Sequence, residues 1–125
     1  MQTAIAFLCT RVNSPTVDDY HKLRRCIKYL RSTRDLVLRM QADNLNVIKW
    51  YVGGAFAVHK DMKSHTGAIF TLGKGAIISD SMKQKVNTRS STEAEMVAID
   101  DKISKVIKTT RFIEHQGFEV KLNII

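Results

Sequence analysis

The run Ser90-Ser91-Thr92-Glu93-Ala94-Glu95 has the most chemical scope in the chain, because it ends on two closely spaced acids. Carboxylate oxygens are the ligands that a hard divalent ion such as magnesium requires. Each acid also has a structural use. Ser90 and Glu93 stand at capping-box spacing, with Ser at the cap and Glu at the third helical position. Glu95 falls early in the same helix, where an acid complements the positive end of the helix dipole. Other candidates are weaker. Cys9 and Cys26 lie seventeen residues apart with no CxxC spacing, and His21, His59, His65 and His115 form no HxxxH or HExxH pattern. A metal site built from Cys and His is therefore not expected, and the thiols read as two buried small hydrophobes of a reducing compartment. Gly73-Lys74-Gly75 is no phosphate loop, since neither the spacing nor the following element fits.

These residues must be positioned by regular elements. Ser14-Pro15 before Asp18 and Asp19 reads as a cap, a first-turn proline and acids facing the helix start. Val17, Tyr20, Leu23, Ile27 and Leu30 then recur at helical steps to about Arg31, with Lys22, Arg25 and Lys28 on the opposite face. That basic face reads as solvated. Leu36, Leu38 and Met40 alternate as a strand would, and the polar run 41–46 is the best internal boundary. Val47 to Val52 is a β-rich run closed by Gly53-Gly54. Thr66 to Leu72 and Ala76 to Ser79 read as two strands joined at Gly73-Lys74-Gly75. Ser90 opens a long helix whose apolar residues are Met96, Val97, Ile99, Ile103, Val106, Ile107, Phe112 and Ile113, and Gly117 stops it. Val120, Leu122 and Ile124 alternate as a last strand that runs into the C-terminus. The order is three antiparallel strands, a helix and a parallel strand, an α/β arrangement.

Composition narrows the partners. Twenty Lys and Arg against twelve Asp and Glu give a net charge of +8, which favours polyanions, nucleic acid first. The excess is spread, with no block of five like charges, so a basic tail is excluded. No apolar run approaches the length of a membrane span, and the first ten residues lack the basic start of a signal peptide. An intracellular protein is expected, with no membrane partner.

Four blocks in order carry a resemblance: Tyr51-Val52-Gly53-Gly54, Lys63-Ser64-His65-Thr66-Gly67, Lys83-Gln84-Lys85 and Ser90-Ser91-Thr92-Glu93-Ala94-Glu95. Together they resemble the RNase H-like domain at the end of the Pol polyprotein of copia-type LTR retrotransposons. Residues 5–38, with Phe7-Leu8, Pro15 and Tyr29-Leu30, look like the segment joining reverse transcriptase to RNase H. The resemblance implies an amphipathic connection segment over 1–42 and an incomplete RNase H-like fold over 43–125. The function it implies is cleavage of RNA in RNA–DNA hybrids, by two magnesium ions held on carboxylates. The rest of a Pol polyprotein is an implied partner.

Departures from the family pattern set the expectation for activity. The first-strand carboxylate falls at position 53, which is Gly53 and offers no ligand. The helix carboxylate matches Glu95, and the later ones fall beyond Ile125. Asp61, Asp80, Asp100 and Asp101 read as solvated acids rather than replacements, with Asp80 ending the third strand. The expectation is a degenerate, inactive fragment that binds no magnesium, in which Glu95 is a vestige. By the resemblance, hybrid nucleic acid would pass Lys83, Lys85 and Arg89, with Ser90, Ser91, Thr92 and nearby amides adding phosphate contacts. A non-catalytic basic binding module is the alternative reading, and plain surface charge stays open beside it. Trp50 and Phe56 read as core anchors rather than stacking platforms.

Overall fold

A computed structural model describes residues 1–124. The chain divides into two compact units, Met1–Leu38 and one beginning at Arg39. In the first, helices α1 (Gln2–Cys9) and α2 (Val17–Ser32) form a hairpin. The cap of α2 is Thr16 and not Ser14: the Thr16 hydroxyl accepts from the Asp19 amide, and the Asp19 carboxylate accepts from the Thr16 amide at 2.9 Å. Two orphan donors are thereby satisfied reciprocally, an arrangement Ser14 is too far upstream to make. The Thr16 hydrogen bonds hold the Asp19 carboxyl below its ordinary value against the opposing effect of burial, with the Arg11 and Lys22 charges adding to the lowering. The apolar stripe of α2 forms as its spacing predicts, yet Tyr20, Leu23, Ile27 and Leu30 are all exposed. Together with Ile5, Leu8 and Val12 some of them line an open apolar cleft of about 340 Å³. Cys9 is exposed and Cys26 only half-buried, so the two thiols are not the buried hydrophobes expected of them.

The expected strand over Leu36 to Met40 does not form. Alternation alone does not make a strand without a ladder partner, and only Gln41–Ala42 (β1) pairs, with Gly73–Lys74 (β4). The glycine-lysine segment is thus a piece of a second, two-stranded sheet, and not a tight hairpin turn.

The main sheet holds β2 (Val47–Ala55), β3 (His65–Thr71), β5 (Ile78–Lys83) and β6 (Leu122–Ile124) in the order β5-β3-β2-β6. The first three are antiparallel, and β6 runs parallel to β2 after the crossover helix α3 (Ser91–His115). This is the order of three antiparallel strands, helix and parallel strand that the sequence pattern predicts. Boundaries differ: β5 spans Ile78–Lys83 rather than the expected Ala76 to Ser79, and β6 begins at Leu122 rather than Val120. β2 continues through Gly53-Gly54 to Ala55, because both glycines keep their place in the ladder opposite Gly67 and Thr66. Asp80 lies within β5 rather than at its end.

One sheet face packs on α3. Ile48, Trp50, Ala68 and Phe70 meet Val106 there, and Trp50 stacks on Phe70 with centroids 5.2 Å apart. The Trp50 indole N–H donates to Thr109 Oγ1, so Trp50 is the anchor its type suggests, whereas Phe56 is 39% exposed and is not. The buried stripe of α3 is Ala94, Ala98, Lys102 and Val106. The larger Met96, Ile99, Ile103, Ile107 and Phe112 are exposed, contrary to the periodicity reading. Small alanines win the sheet face because they let helix and sheet approach closely. Gly54 shows how closely: a Cβ there would collide with the backbone carbonyl of Ala94. Gly117, at φ 89, ends the helix as expected.

Candidate functional site

The Ser90–Glu95 run folds as the N-terminus of α3. Ser90 Oγ accepts from the Glu93 amide at 3.1 Å, so the cap is present. Its reciprocal arm is shifted by one residue: Glu93 Oε2 accepts from the Arg89 amide, at 2.6 Å, not from Ser90. Ser90 is thus committed to the cap rather than offered to a phosphate. Ser91, Thr92 and Glu95 lie in the first turns and are exposed.

Gly53 lies one residue from the Gly54 contact with Ala94, and successive strand positions face opposite sides of the sheet. A Cβ at 53 would meet nothing within 4 Å, so the position opens onto solvent. Gly53 therefore sits in the strand segment beside the start of α3, but on the sheet face turned away from that helix.

Three of the other candidate acids, Asp61, Asp80 and Asp101, are occupied. Asp80 pairs with Lys102 at 3.5 Å and, more closely, with Lys105. Burial acts to raise the Asp80 carboxyl, but hydrogen bonds and charge from the two lysines outweigh it and hold the carboxyl below its ordinary value. Asp101 accepts from Thr66 Oγ1 at 3.0 Å. Asp61 pairs with Lys83 at 2.7 Å, whose hydrogen bond lowers the Asp61 carboxyl against the effect of burial. Asp80 and Asp101 are thus bound into the fold rather than solvated, because a helix with small residues brings its lysines and acids against the sheet edge. Asp100 is exposed.

A two-metal magnesium site needs converging carboxylates. Here one expected position is a glycine, Glu95 is exposed, and among the described residues no group of three or more His, Cys, Asp or Glu side chains is placed to hold a metal ion. The residues present do not fit the magnesium pair that the resemblance implies.

Of the expected phosphate-contacting cations, Lys83 is bound to Asp61. Lys85 and Arg89 are exposed and carry no ion pair among the described residues.

Sequence reasoning missed a buried polar network that explains why several of the recognised blocks sit where they do. Gln84 Nε2 donates to Thr66 Oγ1 at 3.1 Å and to the Ala94 carbonyl at 2.8 Å. Ser64 Oγ bonds Thr88 Oγ1 at 2.7 Å and accepts from the Ala57 amide. Ser64, Thr66 and Gln84 are all buried. They tie β3 and the segment after β5 to the first turn of α3. The signal was available: Ser64, Thr66 and Gln84 are polar residues inside motif blocks with no chemical role assigned.

The chain is similar to the retrovirus-related Pol polyprotein from transposon TNT 1-94 of Nicotiana tabacum, with 28% identity over 123 residues. That match covers 98% of this chain and 9% of the polyprotein, so the chain spans less than a tenth of the length of this relative. No family model matches the chain, and no solved structure matches it. The similarity supports a retrotransposon Pol origin.

Proposed function

We propose that residues 43–125 are the RNase H-like part of a copia-type Pol polyprotein, that 1–42 are the end of the connection preceding it, and that this chain does not cleave hybrids. The observation that carries the reading is the match along nearly the whole chain to a Pol polyprotein. Three antiparallel strands followed by a helix and a parallel strand accord with it. Inactivity rests on Gly53, where the lineage chemistry requires a carboxylate and this chain offers open space.

The test is incubation of the purified chain, free of host nuclease, with a labelled RNA–DNA hybrid and millimolar magnesium. No cleavage is expected. Cleavage that disappears in Glu95→Gln would overturn the reading, because it would mean that Glu95 works in a site rebuilt from other groups.

A second reading, a non-catalytic nucleic-acid-binding module, is favoured by the exposed and unpaired Lys85 and Arg89. Contacts to phosphate release counterions, so binding weakens as salt rises, with a slope near 0.9 per contact. Lys85→Glu with Arg89→Glu is expected to lower hybrid affinity and reduce that slope by about 2. An unchanged affinity and slope in a filter-binding series would remove this reading.

A further inference from the structure

Away from α3, the sheet carries a serine and two histidines in one hydrogen-bonded chain. Ser81 Oγ lies 2.7 Å from His65 Nε2, and His65 Nδ1 lies 3.0 Å from His59 Nε2. Both imidazoles are buried, His65 at 7% exposure and His59 at 6%, whereas Ser81 is half-buried. The base is shielded and the hydroxyl is within reach of solvent.

Space for a reactant lies beside that hydroxyl. Ser81 stands opposite Gly67 in the ladder, and Gly67 stands opposite Gly53. A Cβ at either glycine would meet nothing within 4 Å, so the sheet surface beside Ser81 is bare and open to a reactant. Tyr51 and Ile69 face each other at the next position on the same side, and both are exposed apolar surface.

We propose that Ser81 is an activated nucleophile, with His65 its general base and His59 a positioning residue, competent to accept an acyl group from small carboxylic esters. A nucleophile bonded to a base that is itself oriented by a third group is the arrangement that activates a hydroxyl. When the Ser81 O–H donates to His65 Nε2, the His65 proton sits on Nδ1 and donates to His59 Nε2, which fixes the tautomer. Burial lowers the His65 imidazole below its ordinary value, so the base is unprotonated at neutral pH.

In the first step the Ser81 oxygen bonds the ester carbonyl carbon as its proton passes to His65 Nε2. The bond to the alkoxy group breaks, and that group leaves as alcohol with the proton from His65. Water then attacks the acyl-serine, giving its proton to His65, and the carboxylic acid leaves as the proton returns to Ser81. The second reactant is water alone.

The full chain is treated with a fluorophosphonate probe and analysed by peptide mass spectrometry, alongside p-nitrophenyl acetate hydrolysis. A single adduct on Ser81 is expected, lost in Ser81→Ala, slowed about 100-fold in His65→Gln and unchanged in Ser79→Ala. The rate should rise with pH to a plateau, with its inflection moved in His59→Gln. A folded wild-type chain with no Ser81 adduct overturns the proposal, as does an adduct formed equally fast in folded His65→Gln. An inflection unmoved by His59→Gln removes the positioning role. Should His65→Gln fail to fold by circular dichroism, a wild-type labelling rate that is flat between pH 4.5 and 7.5 is equally decisive against it.

Discussion

Gly53 and Gly54 are neighbours with opposite tolerances, and the difference is a matter of which side each faces. The backbone at 54 lies against the Ala94 carbonyl, so Gly54→Ala forces strand and helix apart and is expected to cost about 1–3 kcal/mol. At 53 a new methyl meets nothing within 4 Å, and Gly53→Ala is expected to be neutral or to stabilise by up to about 1 kcal/mol through the unfolded chain. Urea denaturation midpoints of the two variants check this. A loss for Gly53→Ala as large as for Gly54→Ala would contradict the open face on which the reading of position 53 rests. Asp80 is a residue of another kind, because its carboxylate neutralises Lys102, which is 2% exposed. Removing one partner leaves a buried charge uncompensated, so Asp80→Asn is expected to cost about 3 kcal/mol at neutral pH. The sign with pH follows from its lowered carboxyl. Its contribution is fully present above the unfolded value of 3.8 and is lost as pH falls through the folded one. Asp80→Asn should therefore flatten that part of the acid limb in a stability-against-pH series.

Elements were legible in sequence where a local hydrogen-bonding rule fixes them. Ser90 with Glu93 marks the start of α3, and Gly117 marks its end, because a cap and a left-handed stop are decided by residues within a few positions of each other. Ser90→Ala is accordingly expected to cost about 1 kcal/mol, with Ser91→Ala near neutral, as read from thermal melts of each variant. Equal losses in the two would displace the cap from Ser90. Illegible features were those that depend on what packs across space. Leu36, Leu38 and Met40 alternate like a strand but have no ladder partner. The large apolar residues of α3 suggested one face, and the sheet instead took the stripe of Ala94, Ala98, Lys102 and Val106. Gln84 bonding the Ala94 carbonyl, and His59, His65 and Ser81 meeting in one chain, share no periodicity that a sequence reading detects. The candidate site was half legible for the same reason. Glu95 and Gly53 follow from the motif blocks, while the pairing of Asp80, Asp101 and Lys83 required the folded arrangement.

At the scale of the whole molecule, burial is distributed very unequally between the two units. Every buried hydrophobic residue among those described belongs to the unit beginning at Arg39: Ile48, Trp50, Ala68, Phe70, Ala94, Ala98 and Val106. In Met1–Leu38 the one buried residue is Asp19, and the apolar stripe of α2 is open to solvent. Helices this short draw most of their stability from packing an apolar face rather than from intrinsic propensity. The Thr16–Asp19 capping box contributes only about 1 kcal/mol against the conformational entropy of ordering two helices. The two units should then open at different free energies, with 1–38 at the low end of the range seen in native proteins. Hydrogen exchange of the full chain, read by mass spectrometry after peptic digestion, is expected to show amides of α1 and α2 exchanging at least about a thousandfold faster than those of β2 and β3. That ratio corresponds to a gap of roughly 4 kcal/mol in opening free energy. Equal protection in both units would mean that something covers the α2 stripe in solution. Thr16→Ala then provides the control that separates intrinsic helix stability from such cover. Without cover it should abolish what protection α2 has, and with cover the loss should be limited to the first turn.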